Sequence, residues 1–322
     1  MLTMVFIYVV SSLLLIVTLL PLSPSRFWWV RVCEFPRLHI FTTAIAVLLT
    51  MSIFSEMTFF SIFMTVVLLV IIIYQASWLY PYTRLKSAEV PSSEADSTHD
   101  VTFMAANVEM SNSKYDLVIN QINAHQPDVL FLMETNEQWQ RQLQEALKGY
   151  QTVVSELKDN CYGCIFATKL PTEQAQIHYV AGDDTPSVHA QLTTKQGQSF
   201  IFRGLHPRPP VPGNTTEKRD TELRQTAKYA RDKSLPEVVM GDFNNVVWSR
   251  SALQFKHLGR YYDPQIGRRC VYSFHARYRL LRLPIDQLYV TKNIQLATFY
   301  RGEYIGSDHF PLVAKLRINQ SV

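Results

Sequence analysis

Three long runs with almost no charge fill the first 80 residues, and they limit what this chain can become more than any other feature. Residues 2–20 contain no Asp, Glu, Lys or Arg and are nearly all apolar. Leu38 to Phe54 and Met57 to Tyr80 repeat the pattern, with only His39 and Glu56 near their ends. One bilayer crossing takes about 20 such residues, because a helix satisfies its own backbone hydrogen bonds where water is absent. We read three transmembrane helices, the last two joined by a tight turn at Ser55-Glu56. A cleaved signal peptide is the competing reading of the first run. It would carry a basic leading segment, which is missing, and two further apolar runs follow.

Basic residues set the orientation. Arg26, Arg31 and Arg37 lie between the first two runs, and Arg84 and Lys86 follow the third. Two crossings separate these segments, so both fall on one side, which the positive-inside rule makes the cytoplasm. One span more or fewer would invert this and put the later residues in the periplasm. Trp28, Trp29, Trp78, Tyr80 and Tyr82 stand at span ends, where interfacial aromatic anchors belong. The runs hold no mid-depth charge such as transport often needs, so an anchor is the simpler account.

We therefore expect an anchor at 1–86, a Ser- and acid-rich linker at 87–100 and a globular domain at 101–322. The net charge of +4 comes mainly from the anchor's five basic residues against Glu34 and Glu56. The later domain is close to neutral and lacks the large basic excess of a strong duplex-DNA binder. From Val101 onward, short strand-like and helix-like runs alternate. Strands are expected at 101–108, 129–133, 151–155, 162–168, 174–180, 187–193, 200–205, 238–240, 288–289 and 312–316. Helices are expected at 113–125, 136–148, 215–233 and 250–257. This is an α+β domain of about 220 residues built from layered sheets and helices. Cys161 and Cys164 lack the second pair that a zinc site needs, and their surroundings read as a strand.

Polar residues recur just beyond apolar runs. Asn107 follows Phe103–Ala106, Glu134 follows Val129–Met133, His206 follows Phe200–Leu205, and Asp242 and Asn244 follow Val238–Gly241. Asp286 precedes Gln287–Val290, and Asp308-His309 precede Phe310–Val313. A single Asp after a strand is usually a turn or cap residue. A carboxylate at the tip of a buried strand needs a metal, a donor or a cation nearby. Six such clusters in one domain supply what metal-assisted hydrolysis of a phosphate ester requires.

The set Asn107, Met133-Glu134-Thr135, Gly204-Leu205-His206, Gly241-Asp242-Phe243-Asn244, Pro284-Ile285-Asp286 and Gly306-Ser307-Asp308-His309 resembles the endonuclease/exonuclease/phosphatase superfamily, which has the fold of DNase I. The likeness covers about residues 100–318. The three-span anchor with its Phe35-Pro36-Arg37-Leu38 loop further resembles a bacterial membrane-tethered branch, which implies the inner membrane. The resemblance implies a four-layer α/β sandwich and one Mg²⁺, with Mn²⁺ as the alternative, held at Asn107, Glu134 and Asp308. By the same resemblance Asp242 orients or deprotonates the attacking water and Asn244 helps hold the phosphorus. His309 contacts the phosphoryl oxygen or the leaving group, Asp286 orients it, and His206 is a second donor to the phosphate.

Two departures bear on substrate. Pro207-Arg208-Pro209-Pro210 follows His206 and offers Arg208 as a substrate contact; a rigid surface loop is the plainer reading. Tyr272–Arg279 interleaves aromatics with cations, Arg277 among them, and suits a base, a sugar or a lipid headgroup. We expect a membrane-anchored, metal-dependent phosphodiesterase of nuclease type. The alternatives are a phospholipid-headgroup or inositol-phosphate hydrolase and, behind these, a non-catalytic scaffold of the same fold. Expected partners are a phosphodiester, in nucleic acid or a lipid headgroup, and the bilayer itself; no protein partner is implied.

Overall fold

The computed structural model describes residues 2–93, 98–182, 184–231 and 235–319. It begins with α1 (Leu2–Leu19), a short α2 (Trp28–Val32), α3 (Arg37–Phe54) and α4 (Phe59–Leu79). Three of these helices are long and apolar enough to cross a membrane. Thr58 and Ser61 form a reciprocal capping box that starts α4 just after the Ser55-Glu56 turn. Ile7, Ile40, Ala44, Leu68 and Ile71 pack inside the bundle, while Phe6, Ile53 and Ile73 point outward. One polar chain crosses it: Arg37 donates to Gln75, which donates to Thr18 Oγ1. The Arg37 guanidinium also lies 4.2 Å over the Trp78 ring.

Two β-sheets packed face to face form the rest. The strands of the first are β1 (Asp100–Asn107), β2 (Val129–Met133), β3 (Thr152–Glu156), β4 (Cys164–Thr168), β10 (Ile294–Arg301) and β11 (Leu312–Ile318), in the order β10-β11-β1-β2-β4-β3. The second runs β5 (Thr172–Tyr179), β6 (Pro186–Thr193), β7 (Ser199–Leu205), β8 (Glu237–Asp242) and β9 (Asp286–Val290) in sequence order. Helices α5 (Tyr115–His125) and α6 (Glu137–Leu147) cover the first sheet, and α7 (Glu217–Arg231) and α8 (Arg250–Gly259) the second.

Period-2 alternation builds these layers. Phe103, Ala105, Phe131 and Met133 face the opposite sheet, while Met104, Ala106, Leu130 and Leu132 face α5 and α6. Both faces of β1 and β2 are therefore apolar, which is why they read as unbroken hydrophobic runs. Phe202 of β7 stacks on Phe103 (6.1 Å) and Phe166 (5.5 Å) across the sheet interface. The expected four-layer α/β sandwich is what the chain forms. One strand, β10, escapes the sequence pattern, because a bulge between Leu296 and Thr298 interrupts its alternation. The end of the expected helix at 215–233 falls outside the described residues.

The N-terminal helices and the sandwich are docked together. Glu34 lies 2% exposed in the turn after α2, and Trp248 Nε1 donates to its backbone oxygen at 3.0 Å. Its carboxylate pairs with Arg31 (2.8 Å) and accepts from the Arg250 N–H (3.2 Å), just where α8 begins. Tyr82, expected among the interfacial anchors, is instead buried: its hydroxyl donates to Val247 O and its ring packs edge-on against Trp248. Within the connecting segment, Val90 is fully buried and Ser93 N–H donates to Leu296 O; residues 94–97 of it lie outside the described residues.

Candidate active site

Strand direction gathers the polar residues. β1 runs parallel to β2, and β7 parallel to β8, so Asn107, Glu134, His206 and Asp242 lie at or just beyond strand ends that face one edge of the sandwich. β9 is antiparallel to β8, with Asp286 registered opposite Asp242. β11 is antiparallel to β1, with Leu312 opposite Ala105, which brings Asp308-His309 back beside Asn107.

The side chains meet. His309 Nδ1 is 2.8 Å from Asp286 Oδ2, and its Nε2 is 3.6 Å from Asp242 Oδ2 and 3.9 Å from Asp308 Oδ1. His206 Nε2 approaches the same Asp242 oxygen at 3.8 Å. Asn107 Nδ2 donates to Glu134 Oε1 (2.8 Å) and to Asp242 Oδ2 (3.2 Å), while its Oδ1 accepts from Glu109 N–H (3.0 Å). Asn244 lies alongside: its N–H donates to Asp242 Oδ1 at 2.8 Å and its Nδ2 to Pro207 O at 3.0 Å. Asn107, His206, Asp242, Asp286 and His309 are all buried.

Burial and charge divide the two histidines. Burial lowers the pKa of His206, only partly offset by Asp242, so its ring stays neutral. Burial opposes the charged form of His309 as well, but Asp286 and Asp242 together outweigh it and hold the ring as a cation. Burial also raises Asp242 and Glu134 above the usual carboxylate range; His309 is the main counterweight for Asp242, and the Asn107 amide for Glu134.

Backbone strain concentrates here. Glu109 (φ 58°), Glu134 (φ 60°) and Asn244 (φ 48°) all adopt left-handed conformations that such residues seldom take. Gly241 has φ 152°, and a Cβ there would stand 2.0 Å from Leu205 O, so glycine lets β7 and β8 close up just before Asp242. A Cβ on Gly163 would meet Thr135 O at 1.8 Å; only glycine lets this loop lie against the residue after Glu134.

The structure thus brings together Asn107, Glu134, His206, Asp242, Asn244, Asp286, Asp308 and His309. Arg208 and Arg277 lie at the rim, each tied to an acid. Arg208 donates to Asp184 and lies 5.6 Å over the Tyr162 ring, which in turn packs 5.6 Å from His206. Arg277 donates to Glu109 and to Gly306 O. Glu109 was not foreseen, although its carboxylate also accepts from Asp308 N–H at 3.1 Å; its only sequence signal is its place two residues after Asn107. Ser307 donates to Asn107 O (2.8 Å) and accepts from His309 N–H (3.0 Å), locking the last cluster onto the first strand. Cys161 and Cys164 are free thiols, one exposed and one buried, and burial raises the pKa of both.

The donor set suits a hard divalent cation. Asp242, Asp286 and Asp308 surround one imidazolium, Asn107 links Asp242 to Glu134, and none of the four carboxylates pairs with Lys or Arg among the described residues. Ligand atoms of Asp242, Asp286 and His309 lie within 4.8 Å of one another. In that trio the charged imidazole already occupies the cation's place. Glu134 and Asp308 keep carboxylate oxygens of the kind a hard divalent cation takes, while Asn107 turns its amide nitrogen, not its oxygen, to Glu134.

Comparison with known proteins agrees with this geometry. The model of the Endonuclease/Exonuclease/phosphatase family matches residues 104–309. No curated protein sequence matches the chain. Among solved structures, D. rerio TDP2 carrying 14 humanizing mutations is similar at TM-score 0.56 and 15% identity, over 68% of this chain and 99% of that one. The human Nocturnin catalytic domain gives 0.57 and 17%, over 70% and 97%. A mannosyl-6-phosphatase of Bacteroides thetaiotaomicron gives 0.53 and 18%, over 67% and 99%. At such identities these likenesses speak for the fold, and the family match takes in every site residue from Asn107 to His309: the chain belongs to the Endonuclease/Exonuclease/phosphatase family of metal-dependent phosphoric ester hydrolases.

Proposed function

We propose that this enzyme hydrolyses phosphodiester bonds by direct attack of water, while anchored in a membrane by α1, α3 and α4. The observation that carries the reading is His309 held between Asp286 at 2.8 Å and Asp242 at 3.6 Å, with Asn107 bridging Asp242 to Glu134. Mg²⁺, or Mn²⁺ in its place, held by Glu134, Asn107 and Asp308, would neutralise charge on a phosphoryl oxygen. Asp242 orients water and takes its proton; burial makes it a better base than an ordinary carboxylate. Asp286 fixes the His309 ring through Nδ1, which leaves Nε2 to donate to the phosphoryl or leaving oxygen. His206 is a neutral second donor, and Asn244 steadies Asp242 through its backbone N–H. The residues 1–86 form the anchor and 101–322 the catalytic domain in this reading, with the domain on the cytoplasmic face.

A lipid-headgroup diester is the second reading of the substrate. Its support is the loop carrying Phe274, whose ring packs 4.9 Å from His309, because Leu280 (84% exposed) and Leu281 (57%) project from that same loop. Full-length protein assayed on single-stranded DNA, on phospholipid vesicles and on bis(p-nitrophenyl) phosphate separates the two. Activity on at least one of these, abolished by chelator and restored by Mg²⁺, is the expected result; turnover that survives chelation sinks the metal assignment.

A further inference from the structure

A cavity of about 670 Å³ lies where the start of α3 meets the catalytic domain, outside the cluster described above. Leu38, His39 and Thr42 form its α3 wall, and Arg269, Arg279, Arg282 and Arg301 line the opposite side. No carboxylate lines it, and among the described residues none of these four arginines makes an ion pair. Burial, then crowding by Arg282 and Arg279, lowers the pKa of Arg301. Arg282 keeps a buried Nε without a partner, although its terminal nitrogen donates to Ala276 O. Four like charges gathered without a counter-charge are costly unless something anionic joins them. His39 hydrogen-bonds Leu280 O at 2.6 Å, so the Arg279–Arg282 loop is pinned against the first turn of α3.

We propose that this cavity binds the phosphate of an anionic phospholipid headgroup. The inference rests on α3 spanning a bilayer, since only then do Leu38 and Thr42 lie at headgroup depth. The arginines supply charge-assisted, fork-shaped donors that fit a phosphate diester. Leu38 on α3 and Leu280 on the loop, 39% and 84% exposed, offer apolar surface to the acyl chains beside it. The bound lipid is not the reacting one. It holds the Phe274–Leu283 segment, which pairs with itself at its ends and with His309 through Phe274, at a fixed height over the membrane.

The test uses full-length protein in neutral detergent, titrated calorimetrically with short-chain phosphatidylglycerol, short-chain phosphatidylcholine and inorganic phosphate. The expected result is saturable binding of phosphatidylglycerol, with phosphatidylcholine and inorganic phosphate each roughly tenfold weaker or worse. The double variant Arg269→Gln/Arg279→Gln, both exposed positions, should weaken phosphatidylglycerol binding by roughly tenfold or more and keep the melting temperature. Equal affinity of the variant, or no preference for phosphatidylglycerol over phosphatidylcholine, overturns the proposal. Inorganic phosphate binding as tightly as the lipid overturns it in favour of a soluble anion. Flotation with phosphatidylcholine vesicles is run alongside: protein that floats but shows no headgroup preference fails this inference alone, whereas protein that does not float fails the membrane anchor.

Discussion

His309→Gln lowers kcat by about 10²–10⁴-fold and shifts the melting temperature by only a few degrees. Glutamine can still donate a hydrogen bond towards Asp286, but it cannot carry the charge that Asp286 and Asp242 draw onto the ring. Asp242→Asn should cost a similar factor, because the amide keeps one oxygen for the Asn244 N–H, loses the acceptor that faces Asn107 Nδ2, and takes no proton. If both act on one proton inventory, the double variant falls well short of the product of the single losses. The pH profile gives a second readout. Both groups titrate above their ordinary ranges, so activity rises with pH later than a normal carboxylate would dictate and persists beyond the usual histidine limit. Steady-state kinetics on a chromogenic diester, with melting curves on the same preparations, checks all three variants. Full turnover in folded His309→Gln would remove this histidine from the chemistry.

Arg31→Ala is the second large effect, and it falls on the junction. Arg31 pairs with Glu34 at 2.8 Å, the two side chains 6% and 3% exposed, and it also donates to the carbonyls of Pro21, Ser23 and Ser25. Removing it strands a buried carboxylate whose main remaining donor is the Arg250 N–H, a loss of about 3–5 kcal/mol. For a domain of this size that corresponds to a drop of roughly 10 °C in the melting temperature. The companion variant Arg31→Ala/Glu34→Ala should recover part of the loss, because no unpaired charge is left behind. A double variant no more stable than Arg31→Ala would mean that the carbonyl contacts, and not the ion pair, hold the turn. Both are read by melting full-length protein in detergent.

How much of this was visible in the chain depends on the range of each interaction. The candidate cluster was legible because its members sit at or close to the ends of apolar runs, and strand direction does the rest: a residue at the end of β1 or β8 is committed to the sheet edge. Layered sheets and helices followed from the alternation of strand-like and helix-like runs, whereas the count of four layers came only with the family resemblance. The Glu109–Arg277 pair was not legible, because the contact joins positions 168 apart. β10 was lost to its bulge. Arg31 read as a loop charge bearing on membrane orientation and Glu34 as one term in the net charge; that Trp248 reaches Glu34 depends on packing between segments 214 residues apart, which no local pattern carries.

Turnover in ¹⁸O-labelled water tests the central claim most directly. Full-length protein with Mg²⁺ and a phosphodiester substrate should place one ¹⁸O in the phosphate product per cleavage, with no label in the alcohol. Chelator and Asp242→Asn should both suppress that incorporation. Label appearing in the alcohol, or label in the phosphate at an undiminished rate after chelation or in Asp242→Asn, would contradict the account.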